Sequence, residues 1–229
     1  MIQIEPIGFL DCEQKERYEA PRQGVLSDSK GIIKLNQHCN FEQALKDLDG
    51  FERIWLIYQF HINENWKPQV RPPRYFKSKI GVFATRSPFR PNPIGLSCVK
   101  LEKVEGLKIY ISEFDLLDKT PILDIKPYLP YTDSFPDVKT GWVEDRNNEI
   151  YTINISKSLD KELKSILVNY NDNLKNYIKV QLQFEPENDF RKRIDKTDDF
   201  YTLSFRRWRV NYIVDNINKT VEILKIYSE

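Results

Sequence analysis

A proline-rich loop at residues 81–96 carries side chains that can hold a polar ligand. Its sequence is GVFATRSPFRPNPIGL, with three prolines between positions 88 and 93. Because proline fixes the backbone φ angle, such a loop loses little conformational entropy when it becomes ordered. A rigid loop can keep Arg86, Arg90 and Asn92 in one geometry around a ligand. A purely structural loop is the alternative interpretation of the same pattern.

A second concentration of polar residues follows at residues 113–131. Three carboxylates in it are candidates to accept hydrogen bonds from a ribose, an amino group or an exocyclic amine: Asp115, Asp118 and Asp124. In residues 123–128 the alternation of side chains places Asp124, Lys126 and Tyr128 on one face of a strand. Such a face is usually exposed to solvent, and the neighbouring prolines make the rim of a binding site the alternative.

The segment from Trp66 to Leu101 is basic throughout. It contains no Asp or Glu, and its cations alternate with aromatic residues. The cations are Lys67, Arg71, Arg74, Lys77, Lys79, Arg86, Arg90 and Lys100, and the aromatic residues are Trp66, Tyr75, Phe76, Phe83 and Phe89. Cations neutralise phosphates and flat rings stack on unpaired bases, so this composition is typical of an RNA-binding surface. A solvated loop whose charges are offset by its neighbours explains the composition equally well.

The fold has to position these polar segments. The sequence of the first two thirds of the chain predicts a β-rich fold. Runs rich in β-branched and aromatic residues predict strands at residues 2–9, 53–60, 80–84 and 96–101. A hairpin is expected to turn at Gly106. Most of the prolines lie between residues 68 and 136, which forbids long helices there. One short helix is predicted at 41–49, capped by Asn40 and ended by Gly50, on the outside of a barrel or sandwich.

The last third of the chain has an α+β pattern. Apolar residues at helical spacing predict one helix from Leu159 to Tyr170, capped by Ser158, and a second one at 174–182. Alternation in residues 201–214 and an apolar run at 221–227 predict a terminal hairpin. The expected domains are therefore a β-rich domain at 1–145 and a small α+β domain at 146–229.

The overall composition excludes several classes of protein. The 229 residues include 35 Lys and Arg against 34 Asp and Glu, which gives a net charge of +1, and 40% are hydrophobic. These values indicate a globular protein and argue against a disordered chain or one that is basic all over. No apolar run approaches the ~20 residues of a membrane-spanning helix, and the first ten residues lack the layout of a signal peptide. We therefore expect a cytoplasmic protein that does not enter membranes.

The chain also lacks the motifs of several familiar enzymes. Its cysteines are Cys12, Cys39 and Cys98, without a CxxC spacing, and its histidines are His38 and His61. These residues predict neither a disulfide framework nor a zinc site. There is no glycine-rich dinucleotide loop, no GxxxxGK[ST] phosphate loop and no GxSxG elbow. If the protein is an enzyme, it is not a familiar doubly wound one.

The two polar motifs resemble those of one enzyme family. Residues 81–97 (GVFATRSPFRPNPIGLS) and 115–134 (DLLDKTPILDIKPYLPYTDS) are similar to the TrmO-type tRNA methyltransferases, also called the TsaA-like or VirR-type β-barrel family. Further matches are Ile7-Gly8, Pro21–Gly24, RIWLIYQFH at 53–61 and VRPPR at 70–74. The resemblance covers about residues 2–140. Beyond it, Glu185–Asn188 departs from the family's Asp-Pro-Arg-Pro element, whereas Arg207–Val210 is similar to the family's end.

The resemblance implies a fold, an activity and a set of partners. The implied fold is an antiparallel β-barrel, and the implied reaction transfers a methyl group from S-adenosylmethionine to an adenosine exocyclic amine. The substrate would be threonylcarbamoyl-adenosine next to the anticodon of threonine tRNA, and the protein would be a homodimer with the cofactor near the subunit interface. By motif match, the cofactor contacts would be Pro21, Arg22, Gln23, His61, Ile62, Arg86, Leu96, Leu117, Asp118, Lys119 and Thr120.

The same resemblance suggests roles in the reaction. A sulfonium is already a strong electrophile, so most of the catalysis would be positioning of the acceptor nitrogen. Asp118 could orient the amine, and Arg86 could hold the cofactor carboxylate. Asn92, Lys126 and Tyr128 could hold the substrate, the basic segment would contact the anticodon arm, and no metal is needed.

Two other functions remain open from the sequence. One is a non-catalytic module that binds S-adenosylmethionine or RNA through the same pocket. The other is a nuclease or phosphohydrolase that uses the aspartates with a metal ion.

Overall fold

The structure is a computed structural model that describes residues 3–20, 24, 28–71, 78–143, 150–187 and 193–229. The chain divides into two compact units, Met1–Asp137 and Val138–Glu229. No helix among the described residues is long and apolar enough to cross a membrane.

The first unit is a closed barrel of six strands. Around the barrel the order is β1-β2-β7-β6-β3-β8, and every neighbouring pair is antiparallel. The strands of this unit are β1 (Gly8–Cys12), β2 (Lys30–Leu35), β3 (Arg53–Gln59), β4 (Gln69–Val70), β5 (Ile80–Gly81), β6 (Ile94–Glu105), β7 (Lys108–Ser112) and β8 (Pro121–Pro127). β4 and β5 form a separate two-stranded sheet. The mainly-β class and the antiparallel barrel expected from the resemblance are confirmed.

Apolar side chains at alternate strand positions point inward and fill the barrel. On β3, Ile54, Leu56 and Tyr58 are buried, while the residues between them are less so. Buried residues from the other strands and from the segment between β7 and β8 complete one core: Leu10, Ile33, Leu35, Val99, Leu101, Ile109, Ile111, Phe114, Leu116 and Ile122. Apolar burial of this kind stabilises by roughly 25 cal/mol per Å², so the closed core is the main source of stability for the unit.

Several predicted elements of this unit have different bounds. The hairpin turning at Gly106 (φ 56°) is confirmed, and so is the strand at 53–60. The strand predicted at 2–9 begins only at Gly8, and the one predicted at 80–84 is limited to Ile80–Gly81. A turn of 3-10 helix at Val82–Ala84 follows β5 and replaces the rest of that predicted strand.

The predicted helix at 41–49 is wrong in length and in its cap. Helix α1 is Phe41–Ala44, and a separate 3-10 turn follows at Leu48–Gly50. Asn40 has a left-handed backbone (φ 58°), and its side chain does not cap the helix. Asp47 is also left-handed (φ 66°), so the chain reverses there rather than continuing as a helix. A second short helix, α2 (Pro130–Asp133), follows the barrel.

The second unit is a five-stranded sheet with two helices. Its elements are β9 (Thr152–Asn154), α3 (Lys157–Tyr170), α4 (Leu174–Leu182), β10 (Ile194–Lys196), β11 (Tyr201–Phe205), β12 (Trp208–Asp215) and β13 (Thr220–Ser228). The strand order is β10-β11-β12-β13-β9, with only the β13–β9 pair parallel. The hairpin β12–β13 is the terminal hairpin that the sequence predicts.

Two details of this unit correct the sequence predictions. The cap of α3 is Ser156, whose hydroxyl accepts a hydrogen bond from the Leu159 amide, and not Ser158. The alternating run at 201–214 is two strands, because Arg206 adopts a left-handed conformation (φ 50°) and turns the chain.

A buried carboxylate holds the β11–β12 turn. Asp172 is only 5% exposed, and it accepts hydrogen bonds from Arg206 (2.5 Å) and from the Trp208 indole (2.6 Å). The indole also meets the Tyr170 ring edge to face at 5.3 Å. This arrangement satisfies a charge that would otherwise be costly to bury.

Candidate active site at one end of the barrel

The antiparallel topology collects the predicted cofactor residues at one end of the barrel. Strands β1, β3 and β7 end there, and β2, β6 and β8 begin there. His61 and Ile62 follow β3, Leu96 lies at the start of β6, and the turn Leu117–Thr120 leads directly into β8. Residues far apart in the sequence are therefore neighbours at this end, which we call the site end.

The Leu117–Thr120 turn is bonded tightly to β1. The amides of Asp118 and Lys119 donate to the carbonyls of Gln14 and Leu10, both at 2.7 Å. In return, Asp118 Oδ1 accepts a hydrogen bond from the Cys12 amide at 3.0 Å. Lys119 adopts a left-handed φ of 60° and forms an ion pair with an aspartate of β1. One oxygen of Asp118 thus fixes the turn in place.

His61 lies within electrostatic reach of Asp118. Partial desolvation lowers the pKa of His61 below its usual value, and the charge of Asp118 acts in the opposite direction. The imidazole is therefore neutral near pH 7. The next residue, Ile62, is 40% exposed, and its carbonyl accepts a hydrogen bond from Arg17 at 2.5 Å. The histidine thus offers an uncharged, hydrogen-bonding ring at the site end.

The loop before β6 contains one structural arginine and one exposed arginine. Arg90 donates to the carbonyls of Val82 (3.2 Å) and Thr85 (2.9 Å), and its guanidinium lies over the Phe83 ring at 5.6 Å. The Arg90 guanidinium therefore stabilises the loop and is not available to a ligand. Arg86 is exposed, so its guanidinium can reach a ligand.

Asn92 is the third polar candidate in this loop. Its side chain is exposed and makes no hydrogen bond to any described residue, while its carbonyl accepts from the Ile94 amide at 2.7 Å. The backbone is thus fixed and the carboxamide is available to a ligand.

An inward-facing polar chain lies among these segments. The Tyr58 hydroxyl is 3.2 Å from Ser97 Oγ, and Ser97 Oγ donates to Asp115 Oδ1 at 2.6 Å. Since the single Ser97 proton goes to the carboxylate, Tyr58 must be the donor to Ser97. Gly95 makes room for the Tyr58 ring, because a Cβ at Gly95 would lie 2.4 Å from it.

Two of these hydrogen-bonded residues, Asp115 and Tyr58, have raised pKa values. Burial raises the pKa of Asp115 above its usual value, while the Ser97 hydrogen bond and the charge of Arg86 act in the opposite direction. Burial likewise raises the pKa of Tyr58. The sequence prediction included Asp115 but missed Tyr58 and Ser97. Their signal was a serine and a tyrosine at inward positions of otherwise apolar strands.

Lys126 and Tyr128 do not join the site end. Lys126 pairs across the sheet with Trp55 and forms an ion pair with Asp124 at 3.0 Å on the outer face. The Tyr128 ring meets Trp55 at 5.7 Å. At about 3.3 Å per residue, Tyr128 lies roughly 25 Å along the chain from the Leu117–Thr120 turn. Their predicted role as substrate contacts stays a prediction.

The remaining predicted contacts, Pro21, Arg22 and Gln23, lie outside the described residues, as do Arg74, Tyr75, Phe76 and Lys77 of the basic segment. Gly24 is described, and a Cβ there would lie 2.2 Å from the Glu113 carbonyl oxygen. The connection between β1 and β2 therefore passes close to the segment that carries Asp115.

The site end fits the chemistry of S-adenosylmethionine. Gln14 Oε1 is buried, and it has no hydrogen-bond donor among the described residues. An amino group of the cofactor would supply one, and Arg86 matches its carboxylate. Leu96, 53% exposed, and Ile62 offer apolar surface for its uncharged parts. In contrast, the described residues contain no group of three His, Cys, Asp or Glu side chains that could hold a metal ion.

Comparisons with known proteins identify the family of this chain. Residues 9–134 match the family model of the tRNA-methyltransferase O N-terminal domain. The tRNA (adenine(37)-N6)-methyltransferase of Escherichia coli K12 is 34% identical over 220 residues, which is 91% of this chain and 93% of that protein. A probable S-adenosyl-L-methionine-binding protein of Pyrococcus abyssi is 41% identical over 63% of this chain and 77% of its own length. A crystal structure of TrmO from Pseudomonas aeruginosa superposes with a TM-score of 0.73 at 26% identity, covering 100% of this chain and 99% of that one.

Proposed function

The chain belongs to the tRNA-methyltransferase O family, and we propose that it transfers a methyl group from S-adenosylmethionine to N6 of an adenosine in tRNA. The observation that carries this proposal is the convergence of separate segments at one barrel end. His61 and Ile62, Arg86, Leu96 and the Leu117–Thr120 turn, which motif similarity assigns to the cofactor, all lie at or lead into that end.

At the site end, the side chains of the protein would bind and orient the cofactor and the tRNA. Bound S-adenosylmethionine would supply an electrophilic methyl group. Arg86 binds a carboxylate, the anchored Leu117–Thr120 turn and Leu96 shape the pocket, and neutral His61 offers a hydrogen bond. Asn92 faces outward at the rim, where it can bind the tRNA base or ribose. These roles suit a reaction that mainly requires the acceptor nitrogen to be positioned in line with the methyl group.

The finer proposal concerns the substrate. We infer that the target is threonylcarbamoyl-adenosine next to the anticodon of threonine tRNA. Unpaired anticodon-loop bases stack on aromatic side chains, and the segment before β6 exposes Trp66 (54%) and Phe83 (75%). A homodimer and a cytoplasmic location, which the resemblance and the composition suggested, remain predictions.

Methyl transfer to defined tRNAs tests the proposal. Purified protein is incubated with labelled S-adenosylmethionine and four RNAs: threonine tRNA and one other tRNA, each with and without the threonylcarbamoyl group. We expect label in N6 of the modified adenosine, identified by nucleoside mass spectrometry. Binding of the cofactor and tRNA without transfer would instead support the non-catalytic module.

Arg86→Ala and Arg86→Lys test the cofactor site. Loss of a charge-assisted, bidentate contact should weaken cofactor binding by about 10-fold or more in the alanine variant and by less in the lysine variant. Isothermal titration calorimetry measures both, with the exposed Lys46→Ala as a control outside the site end. Unchanged affinity of Arg86→Ala would remove this residue from the cofactor site.

A further inference from the structure

The hydrogen-bonded residues Tyr58, Ser97 and Asp115 place at the site end a carboxylate that forms no ion pair with the described residues. No lysine or arginine among the described residues forms an ion pair with Asp115. By contrast, Asp118 Oδ1 is occupied by the Cys12 amide, and the Asp11 carboxylate pairs with two lysines. Asp115 therefore has fewer structural partners than either Asp118 or Asp11.

The two hydrogen bonds that link Tyr58, Ser97 and Asp115 run in one direction, toward the carboxylate. Tyr58 donates to Ser97, and Ser97 donates to Asp115 Oδ1, so both hydroxyl dipoles point toward the carboxylate. Such a chain fixes the rotamer of Asp115 and leaves the carboxylate as the terminal acceptor. Its members come from β3, β6 and the segment after β7, which makes their geometry a property of the closed barrel.

The neighbours of Asp115 belong to the cofactor site. Arg86 is close enough for its charge to act on both Asp115 and Tyr58. The Leu117–Thr120 turn begins two residues after Asp115, and Leu96 precedes Ser97 on β6. Asp115 therefore lies at the same barrel end as the residues that motif similarity assigns to the cofactor.

We propose that the Asp115 carboxylate, oriented by Ser97 and Tyr58, accepts the N6 proton of the adenosine during methyl transfer. The proposal rests on the function proposed above. The nitrogen lone pair forms the new bond to the methyl carbon, and the carbon–sulfur bond breaks with its electron pair left on sulfur. The N6 proton passes to Asp115, which later releases it to water.

The titration of Asp115 suits this task. Burial raises its pKa, and Ser97, its own backbone amide and Arg86 limit the rise. A base works best when its pKa approaches the working pH while it still keeps its charge. The charged and polar groups that face it are Arg86, Ser97 and Tyr58, so these are the groups whose removal should shift its titration.

Asp115→Asn, a nearly isosteric change, tests the proposal. We expect the single-turnover rate to fall by about 10²–10⁴-fold, because a positioned base contributes that much. Cofactor affinity by calorimetry should change less than about 3-fold. The matched control is Asp49→Asn, an exposed aspartate away from the site end, which should keep the wild-type rate.

The pH profile separates catalysis from a structural role. The wild-type rate should fall on the acid side as Asp115 becomes protonated, and Asp115→Asn should lack this limb. Ser97→Ala removes a hydrogen bond that lowers the pKa of Asp115, so its acid limb should move to higher pH. A merely structural role would lower the whole profile without moving the limb.

A stability measurement provides a readout without cofactor. Because the folded-state pKa of Asp115 is raised, its ionised form is a cost to folding that appears as pH rises through that pKa. Asp115→Asn should therefore be as stable as the wild type or more stable at pH 7, with the difference disappearing at low pH.

Two failures are distinguishable. If the wild type methylates tRNA and Asp115→Asn keeps both its rate and its acid limb, the role of Asp115 is refuted and the proposed function stands. If the wild type transfers no methyl group to any of the four RNAs, the proposed function itself fails.

Discussion

The close approach of Gly95 to Tyr58 predicts a specific penalty for Gly95→Ala. A Cβ at this position would lie 2.4 Å from two ring carbons of Tyr58 and 2.8 Å from its hydroxyl oxygen. Normal carbon contacts are about 3.5–4.0 Å, so the ring must move by roughly 1 Å or more. Tyr58 is only 5% exposed and has little room to move. Overpacking of this kind costs about 1–3 kcal/mol, and loss of the Tyr58–Ser97 hydrogen bond adds about 1 kcal/mol. We expect a total loss of about 2–4 kcal/mol in the free energy of unfolding.

A double-mutant cycle isolates this contact. Urea unfolding followed by circular dichroism is measured for Gly95→Ala in the wild-type background and in Tyr58→Leu, where the ring is absent. The alanine should cost less than about 1 kcal/mol in the second background, so the two changes should be strongly non-additive. Gly81→Ala is the matched control, because a Cβ there has nothing within 4 Å. Equal losses in both backgrounds, or a Gly95→Ala protein as stable as the wild type, would refute the steric argument.

Three further predictions concern stability and reactivity. Asp172→Ala should lower the free energy of unfolding by about 2–4 kcal/mol in urea titrations, because the Trp208 indole and an arginine lose a buried acceptor. Asp160→Asn should lower the unfolding midpoint at pH 7 but not at pH 2, since hydrogen bonds from two lysines lower the pKa of Asp160 to about 2 and its stabilising charge is lost as pH falls through that value. Iodoacetamide at pH 7.5 should modify exposed Cys39 well before Cys12, whose pKa burial raises to about 12, as followed by peptide mass spectrometry.

Local sequence patterns predicted where strands occur, but they did not predict which strands pair with each other. The alternation at residues 53–60 identifies β3 and its inward side chains, because a half-buried strand needs a period of two. The same period does not reveal which strands pair. It also misses the irregularity between Ile57 and Tyr58, where the register with β8 shifts. Local patterns left a barrel and a sandwich both open, and the family resemblance selected the antiparallel barrel.

The candidate site was predictable where its residues lie in one motif and not where they meet across strands. Arg86 and the Leu117–Thr120 turn belong to conspicuous motifs, and the structure brings both to the site end. Tyr58 and Ser97 are 39 positions apart, and each one looks like an ordinary residue of a β-strand. Their hydrogen bond exists because Gly95 leaves space for the ring, which is a property of packing rather than of pattern.

Asp115 and Asp118 lie three positions apart and have different hydrogen-bond partners in the barrel. The Asp118 side chain accepts a hydrogen bond from a backbone amide of β1, so its removal would loosen the Leu117–Thr120 turn. Among the described side chains, the Ser97 hydroxyl donates a hydrogen bond to Asp115, and the charge of Arg86 acts on the same carboxylate. A carboxylate that accepts a proton in the proposed reaction has to tolerate both its charged and its neutral state. The hydroxyl of Ser97 allows this tolerance, because a hydroxyl donor stabilises the anion less than a directly bonded cation would. The two aspartates of the sequence DLLD thus differ in their hydrogen-bond partners, and the proposed proton transfer uses the one that does not anchor the backbone of β1.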